Sequence, residues 1–232
     1  MQPSTRGSFR AGARAGIPFA VAGLILATSF GILAGPILGF VAAVAMSILT
    51  FAGSAQFASV AVLGGGGGAL AAIVAGVLLN MRYLPMGIAL APSLRGGPVR
   101  RAAVGLLMID ASWAMAIRAD GRMDPAFMIG ATLPSLPCWV GGTAIGVLVG
   151  DSIGDPAALG IDVIFPTFFL ALLVAGEGSA PGSLGAALAG AAIALVLLPF
   201  APPGVPIIAA AAAALIGLRG RRDPEPARED DR

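Results

Sequence analysis

The chain has 232 residues, 57% of them hydrophobic and 11% charged, with a mean hydropathy of +0.93. A soluble domain carries about a quarter charged residues, so long apolar runs split by short Gly/Pro breaks read instead as an all-α, polytopic helical membrane protein with no room for a soluble catalytic domain. A net charge of +2, the lack of histidine and a single cysteine, Cys138, exclude a nucleic-acid footprint, a His or paired-Cys metal site and an internal disulfide.

Residues 1–14 carry Arg6, Arg10 and Arg14 and form a cytoplasmic N-terminal segment. The apolar run 15–34 follows arginines as in a signal peptide, but about 20 residues span a bilayer and more spans follow, so it is expected to stay as the first helix. Further candidate segments are 37–62, 69–91, 99–118, 126–149, 163–176, 183–200 and 204–218, which makes 15–218 the membrane domain. The charged, Pro-broken stretch 219–232 reads as a disordered cytoplasmic tail.

Segment 37–62 contains "FAGSAQF" (51–57), where a glycine, a serine and a glutamine stand at bilayer depth. Ser47, Thr50 and Ser54 share a helical face and could simply let helices pack closely. Gln56 argues for a polar cavity, because a buried amide needs several partners. The "GGGGG" at 64–68 lacks the Lys-Ser/Thr of a phosphate loop and reads as a connector.

In "NMRYLPM" (80–86), Arg82 lies inside segment 69–91 with Asn80 two residues away. An arginine in a span costs ~2.5–3.5 kcal/mol on insertion scales and marks a site or an ion pair, the bland alternative being snorkelling to the inner surface. Pro85 cannot bond the Met81 carbonyl, which predicts a kink and a free acceptor there. Asp110 is the carboxylate at the middle of segment 99–118, one turn from Trp113. It is a candidate ammonium ligand or proton carrier, or a structural partner of Arg82, met through a cavity rather than directly. "LPSLPCWV" (133–140) predicts a kink, with Trp139 as a packing or interface anchor, and Glu177 reads as a loop or helix-end carboxylate.

Arginine placement tests the topology. If 37–62 and 163–176, the latter holding Pro166, are broken and return to their own side, then Arg6–Arg14, Arg95–Arg101 and Arg219–Arg222 all fall inside. Only Arg118 and Arg122 then remain outside. "TSFGILAG" (28–35) matches "TAIGVLVG" (143–150) at a spacing of 115, and the Leu-Pro pairs 84–85 and 198–199 recur at 114. These matches predict a repeat of about 15–118 with about 126–218, inverted as in many transporters, with two broken or re-entrant helices.

"FAGSAQF", "NMRYLPMGIALAPSL", Asp110 and "GDPAALGIDVIFPTFFLAL" together resemble the AzlC family, the large subunits of bacterial branched-chain amino acid exporters, over about residues 12–218. The resemblance implies a permease that exports branched-chain amino acids across the bacterial inner membrane, driven by an ion gradient, with a small hydrophobic AzlD-type subunit. Tyr83 stands where the family usually has histidine, and Ala111 where it often has glutamate, which puts a copied proton-coupling scheme in doubt.

The expected site joins Ser54, Gln56, Asn80, Arg82 and Asp110, binds a zwitterionic amino acid, and uses no metal or cofactor. Both termini are expected in the cytoplasm. The alternative is a channel or non-catalytic membrane subunit whose partner confers substrate binding. Enzymatic activity is not expected, because no His/Cys nucleophile system is present.

Overall fold

The structure, a computed structural model, describes residues 5–118, 122–153, 183–201 and 205–211, with Thr167 and Ala213 besides. Segment 163–176, Pro166 and Glu177 fall outside these residues, Thr167 excepted. The regular elements among the described residues are all helices, with no strand, only an isolated bridge of Ile117 with Met123. The helices are α1 (Thr5–Thr50), α2 (Gly53–Gly64), α3 (Ala69–Asn80), α4 (Tyr83–Leu90), α5 (Pro98–Leu106) and α6 (Asp110–Met115). They are followed by α7 (Pro125–Thr132), α8 (Ser135–Ile153), α9 (Ser183–Leu197) and α10 (Val205–Ala211). Arg6–Thr50, Ala69–Ser93 and Pro125–Gly150 are long and apolar enough to cross a membrane.

α1 is two legs. Gly39, at φ 75° and ψ 169°, breaks the helix in a region open to glycine, and the second leg turns back. Its Ser47 reaches Thr143, which lies opposite Gly31, so residues 40–50 descend beside the first leg. After Phe51 and Ala52 the chain reverses again. α2 climbs from Gly53, against Trp139, through Phe57, against Phe30, to Gly64, against Ile37. Residues 40–64 are thus a re-entrant hairpin, as the break at "FAGSAQF" predicts. α3 then returns antiparallel to α2, with Ser59 Oγ donating to the Ala72 carbonyl and Gly76 facing Ala55.

α3 and α4 continue as one span with a turn at Met81–Arg82. The acceptor expected to be free at Met81 is not free: the Leu84 N–H donates to it at 3.0 Å, and Pro85 sits harmlessly in the first turn of α4.

Segment 99–118 does not cross, which corrects its reading as a span. α5 ends at Leu106, residues 107–109 break the helix, and α6 heads back. The Leu107 carbonyl accepts from Thr132 Oγ1, and the Ala116 carbonyl from the Asp124 N–H. Leu90, Leu94, Met108, Ala116, Met123 and Met128 share one cluster, so residues 94–116 leave from and return to the same end of the bundle. Every described arginine except Arg82 therefore lies at the end where the chain begins, including Arg118 and Arg122, which had been expected on the opposite side.

α7 and α8 run beside the first leg of α1 in the same direction. Gly12 meets Phe127, Gly16 meets Ala131, and Gly146 meets Thr28. The "TSFG" and "TAIG" matches cross reciprocally here. A Cβ on Gly31 would lie 2.2 Å from the Thr143 carbonyl oxygen, and one on Gly146 would lie 2.1 Å from that of Thr28. Only glycine lets the backbones approach so closely. An axis in the membrane plane would make these helices antiparallel. The reciprocal contact instead fits a local two-fold along them, so the inverted relation expected between the starts of the two halves is corrected.

Candidate functional site

The hairpin tip at 51–53 opens on a cavity of about 410 Å³ at mid-depth. Its wall is mostly apolar: Phe19 and Leu26 from α1, Phe51 from the tip, Phe57 from α2 and Trp139 from α8. The polar groups come from breaks in helices, where backbone and side chains can turn toward a cavity. Gly53 and Ser54 are the first residues of α2, which no side chain caps, so the positive end of that helix faces the cavity. Asp110 is the first residue of α6, where the dipole favours a carboxylate. Phe51, at φ 40°, sits in the left-handed region that non-glycine residues rarely occupy, so the tip is held in place by its surroundings.

Arg82 joins these pieces. Its Nη2 lies 2.8 Å from Asp110 Oδ2 and donates to Ser54 Oγ at 2.8 Å. The contact is direct, not mediated by the cavity as expected. The Arg82 and Asp110 side chains remain 32% and 42% exposed, so the pair is open to a ligand. The guanidinium also stacks over Tyr83, 5.3 Å from the ring centroid. Arg82 Nε is buried without a hydrogen-bond partner.

Three of the five expected residues, Ser54, Arg82 and Asp110, line the cavity together. Gln56 does not. It is fully buried behind the wall, its amide donating to Ser47 Oγ at 2.9 Å and accepting from Trp139 Nε1 at 2.9 Å. Ser47 and Thr143 hydroxyls pair at 2.7 Å, and Thr143 donates to the Trp139 carbonyl. This network pins the hairpin to α8. Gly53 serves the same contact, since a Cβ there would lie 2.7 Å from Trp139 Cη2. The glutamine and glycine of "FAGSAQF" are therefore fold-making, and its serine faces the cavity. Asn80 ends α3 outside the lining, with Oδ1 buried and unpartnered.

Sequence reasoning missed Phe19, Phe51 and Ser135 as lining residues and read Trp139 as a packing or interface anchor. Nothing in their local patterns marks them. Tyr83 had been noted only as a departure from the family pattern, yet it too lines the cavity.

A second polar cluster lies at the end of the bundle where the chain begins. Asp124 caps α7 by accepting from the Ala126 and Phe127 N–H groups at 3.1 Å each. It also accepts from Ser8 Oγ and pairs with Arg118 at 2.5 Å. Burial acts to raise its pKa, but the hydrogen bonds from Arg118, Ser8 and the Phe127 N–H outweigh it and hold the carboxyl below its ordinary value.

These features define an α-helical membrane protein whose mid-depth cavity is built on re-entrant hairpins and one intramembrane ion pair. A family profile described as AzlC protein matches residues 18–153, and the chain belongs to that family. It is 31% identical over 207 residues to an "Uncharacterized membrane protein" of Archaeoglobus fulgidus, covering 88% of this chain and 91% of that protein. It is 30% identical over 185 residues to "Inner membrane protein YgaZ" of Escherichia coli, covering 72% and 73%. No solved structure matches the chain.

Proposed function

We propose that the protein is a secondary transporter that exports branched-chain or related amino acids across the bacterial inner membrane, and that the cavity at the tip of the 40–64 hairpin binds the substrate. The observation that carries this reading is the direct Arg82–Asp110 pair facing an apolar cavity of about 410 Å³. That volume lies within the ~300–1,000 Å³ of small-molecule sites. A carboxylate suits Arg82 and the α2 N-terminus, an ammonium suits Asp110, and an aliphatic side chain suits Phe19, Phe51, Phe57 and Trp139.

The arginines gathered at the end where the chain begins support a cytoplasmic location for that end. The cavity's two charged groups are paired with each other and lack the nucleophile–base arrangement of an enzyme, which favours transport over catalysis. A small AzlD-type subunit completes the transporter, as the family resemblance implies. The test is to measure intracellular amino acid pools, and export from preloaded cells, with and without this gene and with and without its AzlD-type partner. Pools of leucine, isoleucine or valine rise when the gene is removed. Pools and export rates that do not change for any amino acid contradict the reading.

A further inference from the structure

Arg82 and Asp110 are the only charged side chains among the described residues that line the cavity, and they neutralise each other at 2.8 Å. The rest of the wall supplies no further full charge: beside Ser54, Tyr83, Ser135 and the α2 N-terminus it is largely apolar, with Phe19, Phe51, Phe57 and Trp139. A ligand with one charge that pairs with either residue strands the other against this wall, which is unfavourable at membrane depth.

A zwitterion strands nothing, because one ion pair is replaced by two. We infer that the cavity selects ligands by exchange of the Arg82–Asp110 pair, which makes these residues the determinant of ligand charge class. Neutral zwitterions are accepted, and compounds with the same carbon skeleton but only a carboxylate or only an ammonium are refused. The inference rests on the proposed role of the cavity as the substrate site.

Two details support exchange. Ser54 Oγ holds the guanidinium independently of Asp110, so Arg82 keeps its position when Asp110 turns to the ligand. Arg82 Nε is a buried donor with no hydrogen-bond partner, and a carboxylate could satisfy it.

Binding to the purified full chain in detergent, together with its AzlD-type partner, tests this with three probes: leucine, 4-methylpentanoate, which lacks the ammonium, and 3-methylbutylamine, which lacks the carboxylate. The wild type should bind leucine at least about tenfold more tightly than either one-charge compound. In Asp110→Asn, 4-methylpentanoate should match or exceed leucine, and in Arg82→Gln the amine should do so. Because either single change could impair folding, the Arg82→Gln/Asp110→Asn double variant is measured as well, and its preference among the probes should collapse to within about threefold. Exchange is overturned if the wild type binds a one-charge compound as tightly as leucine, or if folded variants keep the wild-type order. If the wild type binds none of the three, the substrate site itself is wrong and the inference falls with it.

Discussion

Arg82 Nη2 stands 2.8 Å from both Asp110 Oδ2 and Ser54 Oγ, so one guanidinium ties the 40–64 hairpin to the 94–116 hairpin. Neither hairpin crosses the bundle. Their tips meet at mid-depth, where each contributes a helix N-terminus and a polar side chain.

Removing one member of the pair leaves the other uncompensated. For fully buried pairs the loss is ~3–5 kcal/mol, and it should be smaller here because both side chains keep part of their surface open. The melting temperature in detergent should therefore fall for Arg82→Gln and for Asp110→Asn. It should recover part of the way in the double variant. Strictly additive losses would show that the two groups do not depend on each other.

The α1–α8 crossing makes a contrast between neighbouring glycines. A Cβ on Gly146 would lie 2.1 Å from the Thr28 carbonyl oxygen, whereas one on Gly141 meets nothing within 4 Å. Gly146→Ala should sharply reduce the folded yield. Gly141→Ala should be neutral or stabilising by roughly 0.5–1 kcal/mol, because it removes a flexible residue from a helix. Equal effects on detergent-solubilised yield would contradict the parallel packing.

Gln56→Met keeps the bulk of the side chain and removes its amide. Trp139 Nε1 and Ser47 Oγ each lose a partner, at about 1–3 kcal/mol for each group left unsatisfied. Thermal stability should fall, while the leucine affinity of the folded fraction should change less than in Ser54→Ala. A larger affinity loss in Gln56→Met would return the glutamine to the binding site.

Asp124 carries a pH signature. Its carboxyl titrates lower in the fold than in the unfolded chain, so its contribution is complete above the ordinary aspartate value of ~3.9 and fades as pH falls through the lower folded value. Asp124→Asn keeps a capping oxygen but loses the charge that pairs with Arg118, and should cost up to about 1 kcal/mol at neutral pH. The gap to wild type should narrow on acidification below about pH 4. A gap independent of pH would remove the carboxylate from the account.

Topology can be read with thiol reagents in a background where Cys138 is serine. Single cysteines at Gly97 and Arg122 should label from the same side of the membrane, and one at Gly67, in the turn between α2 and α3, from the other. Labelling of Arg122→Cys from the side of Gly67→Cys would restore the crossing of 99–118 that the structure removes.

The break at "FAGSAQF" was legible because glycine, serine and glutamine are conspicuous at bilayer depth. The break at 107–109 was not, since Leu107, Met108 and Ile109 are all apolar and the nearby Gly105 is one of many small residues in this chain. Its signal lay elsewhere, in Arg118 and Arg122 left on the unfavoured side. That missed hairpin also set the repeat direction, because one crossing fewer reverses everything after it. In the site, charge at depth picked out Arg82 and Asp110. The Ser47–Gln56–Trp139–Thr143 network joins residues up to 96 positions apart, and no local pattern predicts it.

The central claim is that the Arg82–Asp110 cavity is where substrate binds during transport. Counterflow of labelled leucine into proteoliposomes, measured for the wild type and for the Arg82→Ala/Asp110→Asn double variant with its AzlD-type partner present, tests it most directly. The account predicts saturable counterflow by the wild type and its loss in a double variant that still inserts and runs as a monodisperse protein. Counterflow by the double variant at near the wild-type rate would contradict it.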